Sequence, residues 1–374
     1  MEIASNAQRS RTIKIIAYIA RVIMGLVFIG SGFVKVVDPW GTAIKINEYL
    51  AIYNMEWLKP ASMVFAIWLC GAEFMMGHML LFKVRIRLVS IFAMISMTFF
   101  TILSFLSATL LPVEDCGCFG DAIKLTPWQT LIKNIVILPM AFVVWYRYRP
   151  DKIFAFKRVE IAMTLIFCVY SMGLGVYNYH HLPMLDFRPY KVGVELQQAI
   201  AEAKNVDYQS HTTLIYKELS TGNLREFELT DTLWHDSSRW EWVETRTQSL
   251  GEEPSSLSVV EFSIMDFSGE DKTLEILNRE GYVHMLIVTN TSRLTPKICG
   301  YLSRFVAQVK SRKEGVIILT PQHLDAGKIK LCSNEDIDIY NIDHSTMNTM
   351  IRAKYGVVTL RDGVIEDKRN WRDM

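Results

Sequence analysis

Five apolar stretches within the first 180 residues constrain the fold of this chain more than any other feature. A helix needs about 20 mainly apolar residues to cross the hydrocarbon core of a bilayer. The stretches that reach this length run from Ile13 to Val37, Ala61 to Phe82, Leu88 to Leu111, Trp128 to Tyr146 and Val159 to Tyr179. The sequence therefore predicts five membrane-spanning helices. The first is expected to remain as an anchor, because no signal-peptide cleavage site follows it.

Lysine and arginine residues cluster before the first stretch, after the second and after the fourth. These clusters lie at Arg9–Lys14, Lys83–Arg87 and Arg147–Arg158. Basic residues accumulate in the short cytoplasmic loops of membrane proteins, and five spans place all three clusters on that side. We therefore expect a bacterial inner-membrane protein with a cytoplasmic N-terminus and a periplasmic chain after Tyr179.

A shorter segment, Pro39–Asn54, follows the first stretch. Its apolar and aromatic residues could rest at the lipid headgroups while Lys45 and Glu48 face water, as in an interfacial amphipathic helix. An ordinary outer loop is the alternative, and the sequence does not decide between the two.

Composition changes after the fifth stretch to that of an ordinary globular protein. We expect a membrane domain at residues 1–150, a fifth transmembrane helix at 151–180, a periplasmic connector subdomain at 181–255 and a further domain at 256–374. A net charge of +1 gives no reason to expect nucleic acid as a partner.

The last domain alternates predicted strands with predicted helices. The strands are Val259–Phe267, His284–Thr289, Val316–Thr320, Asp338–Ile342, Val357–Leu360 and Val364–Lys368, and the helices are Pro296–Ser311 and Ser345–Lys354. This order resembles the thioredoxin fold, which implies a soluble α/β domain. A thioredoxin active site would place Cys-x-x-Cys after the second strand, where this chain has Asn290–Thr295. The domain is therefore expected to lack thioredoxin chemistry.

Four of the six cysteines are expected to be structural. Cys70 and Cys168 lie in apolar helical stretches and are interpreted as packing residues. Cys299 and Cys332 are interpreted as buried structural thiols, because free cysteine is among the most buried residue types.

The other two cysteines form the sharpest motif, the run from Asp115 to Asp121 with Cys116, Gly117 and Cys118. Glycine tolerates the dihedral angles of the small ring that a Cys116–Cys118 disulfide would close. A strained, exposed disulfide is readily exchanged, and the acidic Asp115 and Asp121 disfavour thiolates. The motif therefore suits a resting disulfide that a partner attacks. A static disulfide or two idle thiols is the alternative. A metal site is not expected, because two cysteines supply half of a tetrahedral ligand set.

Two ionisable residues lie inside the predicted spans at comparable depth, Arg21 in the first and Glu73 in the second. Charges inside a membrane usually pair with one another, and they often mark function. One interpretation is a structural Arg21–Glu73 ion pair that holds the bundle together. The other is a proton relay or contact with a quinone.

The membrane half resembles two related families. The first stretch carries the pattern of DoxX-type proteins, with Arg21, Gly25, Phe28, Gly30, Ser31, Gly32, Lys35, Asp38 and Pro39. The run Cys116 to Asp121, followed by Leu125 and Asn134, is similar to the methylamine-utilisation protein MauE. The segment from His181 to Tyr190 and the domain after it resemble longer DoxX-like proteins of Bacteroidetes-type bacteria. The resemblance implies a four-helix membrane bundle, here with a fifth spanning helix, and a role in disulfide formation beside a thioredoxin-fold partner.

We therefore expect a membrane component of envelope thiol–disulfide chemistry, in which Cys116 and Cys118 exchange a disulfide with a periplasmic thiol or thioredoxin-fold protein. Arg21, Glu73, Asp115 and Asp121 are the supporting residues. On this interpretation the chain is expected to be a thiol–disulfide oxidoreductase. No resident cofactor is expected, and quinone is the candidate if one is bound. The rival is a non-catalytic membrane scaffold whose thioredoxin-like domain docks an envelope complex, and a solute carrier is a distant third.

Overall fold

The computed structural model of the protein describes residues 2–110, 117–151, 157–205, 209–218, 224–228, 239–250, 262–289, 294–321 and 337–373. The chain divides into two compact units. The first, called the membrane unit here, comprises Met1–Arg188 with Ile351–Gly356 and Arg369–Met374. The second, called the sheet unit, comprises Pro189–Met350 and Val357–Lys368.

The described part of the membrane unit is built from helices. They are α1 Glu2–Val37, α2 Pro39–Ile52, α3 Ser62–Leu81, α4 Ile86–Thr109, α5 Pro127–Tyr148 and α6 Arg158–His180. All but α2 are long and apolar enough to cross a membrane, which confirms the five predicted spans. The segment after α1 is helical as α2, while its position at the lipid headgroups stays a prediction.

Local sequence signals fix where two of these helices begin. Asp38 precedes α2 and its carboxylate accepts a hydrogen bond from the Gly41 backbone N–H at 3.0 Å. Thr126 and Gln129 form a reciprocal capping box at the start of α5, which satisfies two backbone donors that a helix end leaves open. Proline occupies the first position of both helices, where its missing N–H costs nothing.

Small residues bring the backbones of α1 and α3 together. A Cβ atom on Gly32 would lie 2.6 Å from the Phe74 backbone, and one on Gly77 would lie 2.6 Å from the Ile29 backbone nitrogen. Small residues permit this close approach in membranes, where helix association depends on packing. The contacts fix an antiparallel register in which Gly32 faces Phe74 and Gly25 faces Leu81.

The sheet unit contains α7 Leu196–Asn205 and a three-stranded antiparallel sheet. Its strands are β1 Gln209–Glu218, β2 Leu224–Glu228 and β3 Trp240–Leu250, in the order β2-β1-β3. A pair of aromatic side chains, Phe227 and Trp240, is buried on this sheet with ring centroids 4.8 Å apart.

A five-stranded mixed sheet follows, accompanied by α8 Thr273–Leu277, α9 Pro296–Ser311 and α10 His344–Met350. Its strands are β4 Tyr282–Val288, β5 Gly315–Thr320, β6 Ile339–Asn341, β7 Tyr355–Arg361 and β8 Val364–Asn370, in the order β6-β5-β4-β7-β8. Strands β4, β5 and β6 run parallel, and the fully buried Met285, Ile287 and Ile317 belong to their apolar core. The predicted helix at Pro296–Ser311 is confirmed with both ends in place.

One predicted strand is wrong in its described part. Residues 262–267 form single bridges from Met265 to Asp271 and to Asn341 instead of a strand. The Asp266 carboxylate accepts hydrogen bonds from the backbone N–H groups of Ser268 and Glu270. Such side-chain acceptance closes a turn and removes the backbone from an extended ladder. Residues 259–261 lie outside the described residues.

Candidate functional site

The Cys-Gly-Cys motif leads into a tight loop before α5. Gly117 and Gly120 have φ angles of +60° and +52°, a left-handed conformation that glycine adopts without steric cost. The Gly120 backbone N–H donates to the Gly117 carbonyl at 3.1 Å. Glycine is therefore required by the turn that carries Cys118. Cys116 and Asp115, the other two predicted site residues of this motif, lie outside the described residues.

Cys118 is a half-buried free thiol, so the predicted disulfide with Cys116 is not present in this structure. Its backbone is anchored to α1, because the Cys118 carbonyl oxygen lies 2.6 Å from the Ser31 hydroxyl and accepts its hydrogen bond. A Cβ on Gly120 would lie 3.3 Å from Val34. The loop thus rests closely against the last two turns of α1.

A buried ion pair lies beside this anchor. The Lys35 ammonium contacts a Glu73 carboxylate oxygen at 2.5 Å, and both side chains are less than a tenth exposed. The other Glu73 oxygen lies 2.6 Å from the Ser31 hydroxyl. The Ser31 hydroxyl therefore lies between the intramembrane carboxylate and the backbone of Cys118.

The predicted Arg21–Glu73 pair is wrong. Arg21 instead donates to the carbonyl oxygens of Leu80, at 2.5 Å, and Leu81, at 2.9 Å. The register set by Gly25 and Leu81 explains the difference, because it places Arg21 at the end of α3. Leu80 is seven residues from Glu73, about 10 Å along a helix. Arg21 thereby donates to carbonyls in the last turn of α3, where basic side chains commonly bind the helix end.

The last predicted site residue, Asp121, belongs to a second buried charge cluster of the membrane unit. Its carboxylate contacts Arg352 at 2.6 Å, and Arg352 contacts Asp38 at 3.0 Å. Burial opposes the charge of Arg352, but the two carboxylates outweigh that effect and raise its pKa. The negative charge of Asp121 is therefore compensated by Arg352.

An apolar cavity of about 310 Å³ opens next to the ion pair. Its wall includes Ser31, Lys35, Glu73, Gly117 and Cys118. The volume falls at the lower end of the range of about 300–1,000 Å³ in which ligand pockets occur. The thiol, the intramembrane charges and the cavity thus form a single site.

Polar residues from α5 complete the wall. The Lys133 ammonium lies 4.9 Å from the centre of the Phe119 ring, and no carboxylate pairs with it among the residues described here. The Asn134 amide donates to the Ser104 hydroxyl at 2.9 Å and to the Phe100 carbonyl at 3.2 Å. Within the described part of the chain, the contact that compensates the Lys133 charge on the cavity wall is the Phe119 ring face.

Sequence reasoning found Cys118 and Glu73 but missed Lys35 and Ser31 as site residues. A signal was available, since Phe28, Ser31 and Lys35 are spaced three and four residues apart and share one face of α1. Nothing in the sequence marked that this face meets Glu73, because the α1–α3 register arises from packing at Gly32 and Gly77.

Among the remaining cysteines, Cys299 differs from the prediction that it is a free structural thiol. Cys70 is a buried free thiol whose Sγ lies 3.3 Å from the Thr42 hydroxyl, and Cys168 is a free thiol on α6. Cys299 is disulfide-bonded, so its interpretation as a structural thiol is wrong. Its partner lies outside the described residues, as does Cys332. Within the described ranges, no three His, Cys, Asp or Glu side chains are grouped to hold a metal ion.

Comparison with known proteins finds one family model that matches part of the membrane unit. Residues 13–147 match the family model described as methylamine utilisation protein MauE, a family of membrane proteins. The match covers α1 to α5 and includes the loop of Cys118. No curated protein matches the chain, and no solved structure does so either. The chain is thus a membrane protein that is similar to MauE over its first five helices.

Proposed function

We propose that this protein is a membrane component of envelope thiol–disulfide chemistry, in which Cys116 and Cys118 exchange a disulfide with the thiols of a periplasmic partner. The observation that carries the proposal is the anchoring of Cys118. Its carbonyl is held by Ser31, which also contacts the buried Lys35–Glu73 pair. A merely static loop has no need of an intramembrane ion pair, since such charges are costly and typically functional.

The exchange balances as two successive thiol–disulfide steps. A partner thiolate attacks one sulfur of the Cys116–Cys118 disulfide, which forms a mixed disulfide and releases the other sulfur as a thiolate. A second partner thiol then attacks the mixed disulfide. The partner leaves with a disulfide, and Cys116 and Cys118 remain as the dithiol. The free thiol of Cys118 corresponds to this reduced form.

Location and domain architecture support this assignment. The basic clusters beside the spans favour a cytoplasmic N-terminus and a periplasmic loop for Cys118, in the compartment where disulfides persist. The order of strands β4 to β8, with a helix between β4 and β5 and a closing pair β7–β8, fits a thioredoxin-like domain of the kind implied by the DoxX resemblance. Lacking Cys-x-x-Cys, this domain serves to dock the partner.

Trapping of the mixed disulfide tests the proposal. In cells that express Cys116→Ser or Cys118→Ser, the remaining thiolate can attack the disulfide of an oxidised partner, which is the reverse of the exchange step, and the neighbouring cysteine is no longer there to open the mixed disulfide. We expect one of the two variants to accumulate a reductant-sensitive adduct with an envelope protein after acid quenching and alkylation. The matched control is Cys168→Ser, which removes a free thiol in α6 and should give no adduct.

The rival function is a non-catalytic scaffold in which the loop is structural. The observation that favours it is that the last domain has Asn290 to Thr295 where a redox pair of cysteines would stand. A Cys116→Ser, Cys118→Ser double variant decides between the two. If the double variant is present at the normal protein level but does not restore the phenotype that the intact gene restores, exchange is supported. Full restoration by the double variant, with no trapped adduct, supports the scaffold.

A further inference from the structure

We propose that the cavity beside Cys118 binds an acidic phospholipid, with one acyl chain among its apolar side chains and the phosphate at the Lys133 ammonium. Basic pockets between spanning helices bind acidic lipid headgroups in other membrane proteins. Such a site needs no reactive thiol, so it stands or falls independently of the thiol–disulfide function proposed above.

The wall of the cavity changes from polar to apolar along the helix axes. Lys35 lies in the last turn of α1, whereas Val27 precedes it on the same wall by about 12 Å along the helix. On α5, Lys133 lies nearer the start of the helix than Ile137, by about 6 Å. The Cys118 loop rests on the last turns of α1 and leads into α5, so both lysines belong to the end beside this loop. A polar end and an apolar end match the two parts of an amphiphile.

The Lys133 ammonium is held at the polar end of the cavity. Side chains of a helix point towards its start, and the Lys133 nitrogen lies 4.9 Å from the centre of the Phe119 ring in the Cys118 loop. The long stem of a lysine lets its charge reach the headgroup level while the helix continues into the bilayer. The charge is therefore placed where a lipid phosphate lies.

The charges on the wall favour an anionic headgroup. Among the described residues, the charged side chains that line the cavity are Lys35, Lys45, Lys133 and Glu73. Lys35 is paired with Glu73 at 2.5 Å and Lys45 with Glu48 at 3.0 Å, so these two pairs leave no net charge. Lys133 adds a positive charge, and within the ranges that the structure describes no carboxylate pairs with it. Its three N–H donors suit a phosphate, which accepts charge-assisted hydrogen bonds.

The cavity is also open to the surface of the membrane unit. Two of its lining residues, Tyr53 and Phe99, are 45% and 58% exposed, and Phe99 lies on the spanning helix α4. An acyl chain can therefore enter from the side and cover apolar side chains such as Leu69 and Ile137, which is favourable. A water-soluble phosphate compound has no part that would gain from this apolar wall.

Headgroup selectivity is tested first, with the full-length chain purified in a mild detergent and stripped of bound lipid. Native mass spectrometry measures the binding of phosphatidylglycerol and of phosphatidylcholine with the same acyl chains. We expect one phosphatidylglycerol to bind per chain roughly tenfold more tightly than phosphatidylcholine, whose own ammonium group neutralises its phosphate. Equal affinity for the two lipids would overturn the inference.

The cavity is tested as the site by filling it. Leu103→Trp should abolish the tight binding of phosphatidylglycerol, because Leu103 lines the cavity. The matched control is Ile102→Trp, since Ile102 is 57% exposed on the same helix and its replacement leaves the cavity open. Circular dichroism checks that both variants keep their helices. The same affinity for phosphatidylglycerol in both variants would overturn the cavity as the site.

The role of the Lys133 charge is tested in the same assay. Lys133→Gln should remove the roughly tenfold preference for phosphatidylglycerol, whereas Lys133→Arg, which keeps the charge, should preserve it. The matched control is Lys124→Gln, which removes an exposed charge outside the cavity and should leave the preference unchanged. A preference that persists in Lys133→Gln would overturn the inference. Displacement of the lipid by millimolar glycerol phosphate would overturn it too, because the headgroup alone would then be the ligand.

Discussion

The two units of this protein handle buried polar groups in different ways. In the membrane unit, Lys35, Glu73 and Ser31 form a charged cluster beside a free thiol and a cavity. In the sheet unit, the buried His284 contacts Thr359 at 3.0 Å and Glu314 at 2.9 Å, and Cys299 is disulfide-bonded. A hydrogen-bonded buried histidine and a closed disulfide are typical of structural roles, whereas a charge cluster next to an open cavity is typical of a reactive site.

The two units also differ in where their cysteines and buried charges lie. In the sheet unit, β4 is followed by Asn290 to Thr295, a stretch without Cys-x-x-Cys. The membrane unit carries the free thiol of Cys118 in the loop before α5, and the buried Lys35–Glu73 pair on α1 and α3. Each of the following predictions compares the two units or the two kinds of contact within them.

The largest effect is expected at the buried ion pair. Glu73→Gln should destabilise the membrane unit by about 3–5 kcal/mol, because it leaves Lys35 charged and unpaired in a low-dielectric site. The double variant Lys35→Met, Glu73→Met should recover much of the loss, since apolar replacements of a buried pair are often neutral. Unfolding in mixed detergent micelles measures both. The control is Glu48→Gln, at an exposed pair worth about 1 kcal/mol or less. Additive losses in the double variant would contradict the pairing.

The second-largest loss of stability is expected at the disulfide of the sheet unit. Cys299→Ser should cost about 2–4 kcal/mol of sheet-unit stability, as loss of a disulfide typically does, because Cys299 is bonded. It should leave trapping of a partner by Cys118 unchanged. Limited proteolysis of the sheet unit, with and without reductant, measures the change. If the variant resists protease as well as the wild-type chain does, the disulfide contributes nothing to stability.

A smaller effect is expected where α1 meets α3. Gly32→Ala should destabilise by about 1–3 kcal/mol, because its Cβ would lie 2.6 Å from the Phe74 backbone. Gly30→Ala is the matched control two residues away, where a Cβ meets nothing within 4 Å. It should be neutral or stabilising by up to about 1 kcal/mol, since alanine favours helices. The same loss at both positions would argue against the close α1–α3 contact.

The smallest expected quantity is the coupling between Arg21 and Glu73. Arg21→Met and Glu73→Gln should add within about 0.5 kcal/mol in a double-mutant cycle, as separate sites do, because Arg21 contacts Leu80 and Leu81 instead. A coupling energy above about 1 kcal/mol would indicate that Arg21 and Glu73 form an ion pair after all.

Much of the fold could be predicted from sequence periodicity, and less of the site. The five spans and the helix Pro296–Ser311 follow from local patterns that the chain carries in each segment. The partner of Glu73 does not, because it depends on the register of two helices set by Gly32 and Gly77. The sequence predicts a comparable depth for Arg21 and Glu73, whereas Arg21 lies beside Leu80 and Leu81 at the end of α3. The cavity arises from the packing of several helices and has no sequence signature.

The most direct test of the central claim is a redox titration of Cys116 and Cys118 in the intact protein. Purified chain is equilibrated in thiol–disulfide buffers, alkylated and weighed by mass spectrometry, while circular dichroism follows the helices. The account predicts that these two thiols disappear together, as one two-electron couple, with the helices fully folded and Cys70 unlabelled throughout. Thiols of Cys116 and Cys118 that react independently, or pair only after the helices unfold, would contradict it.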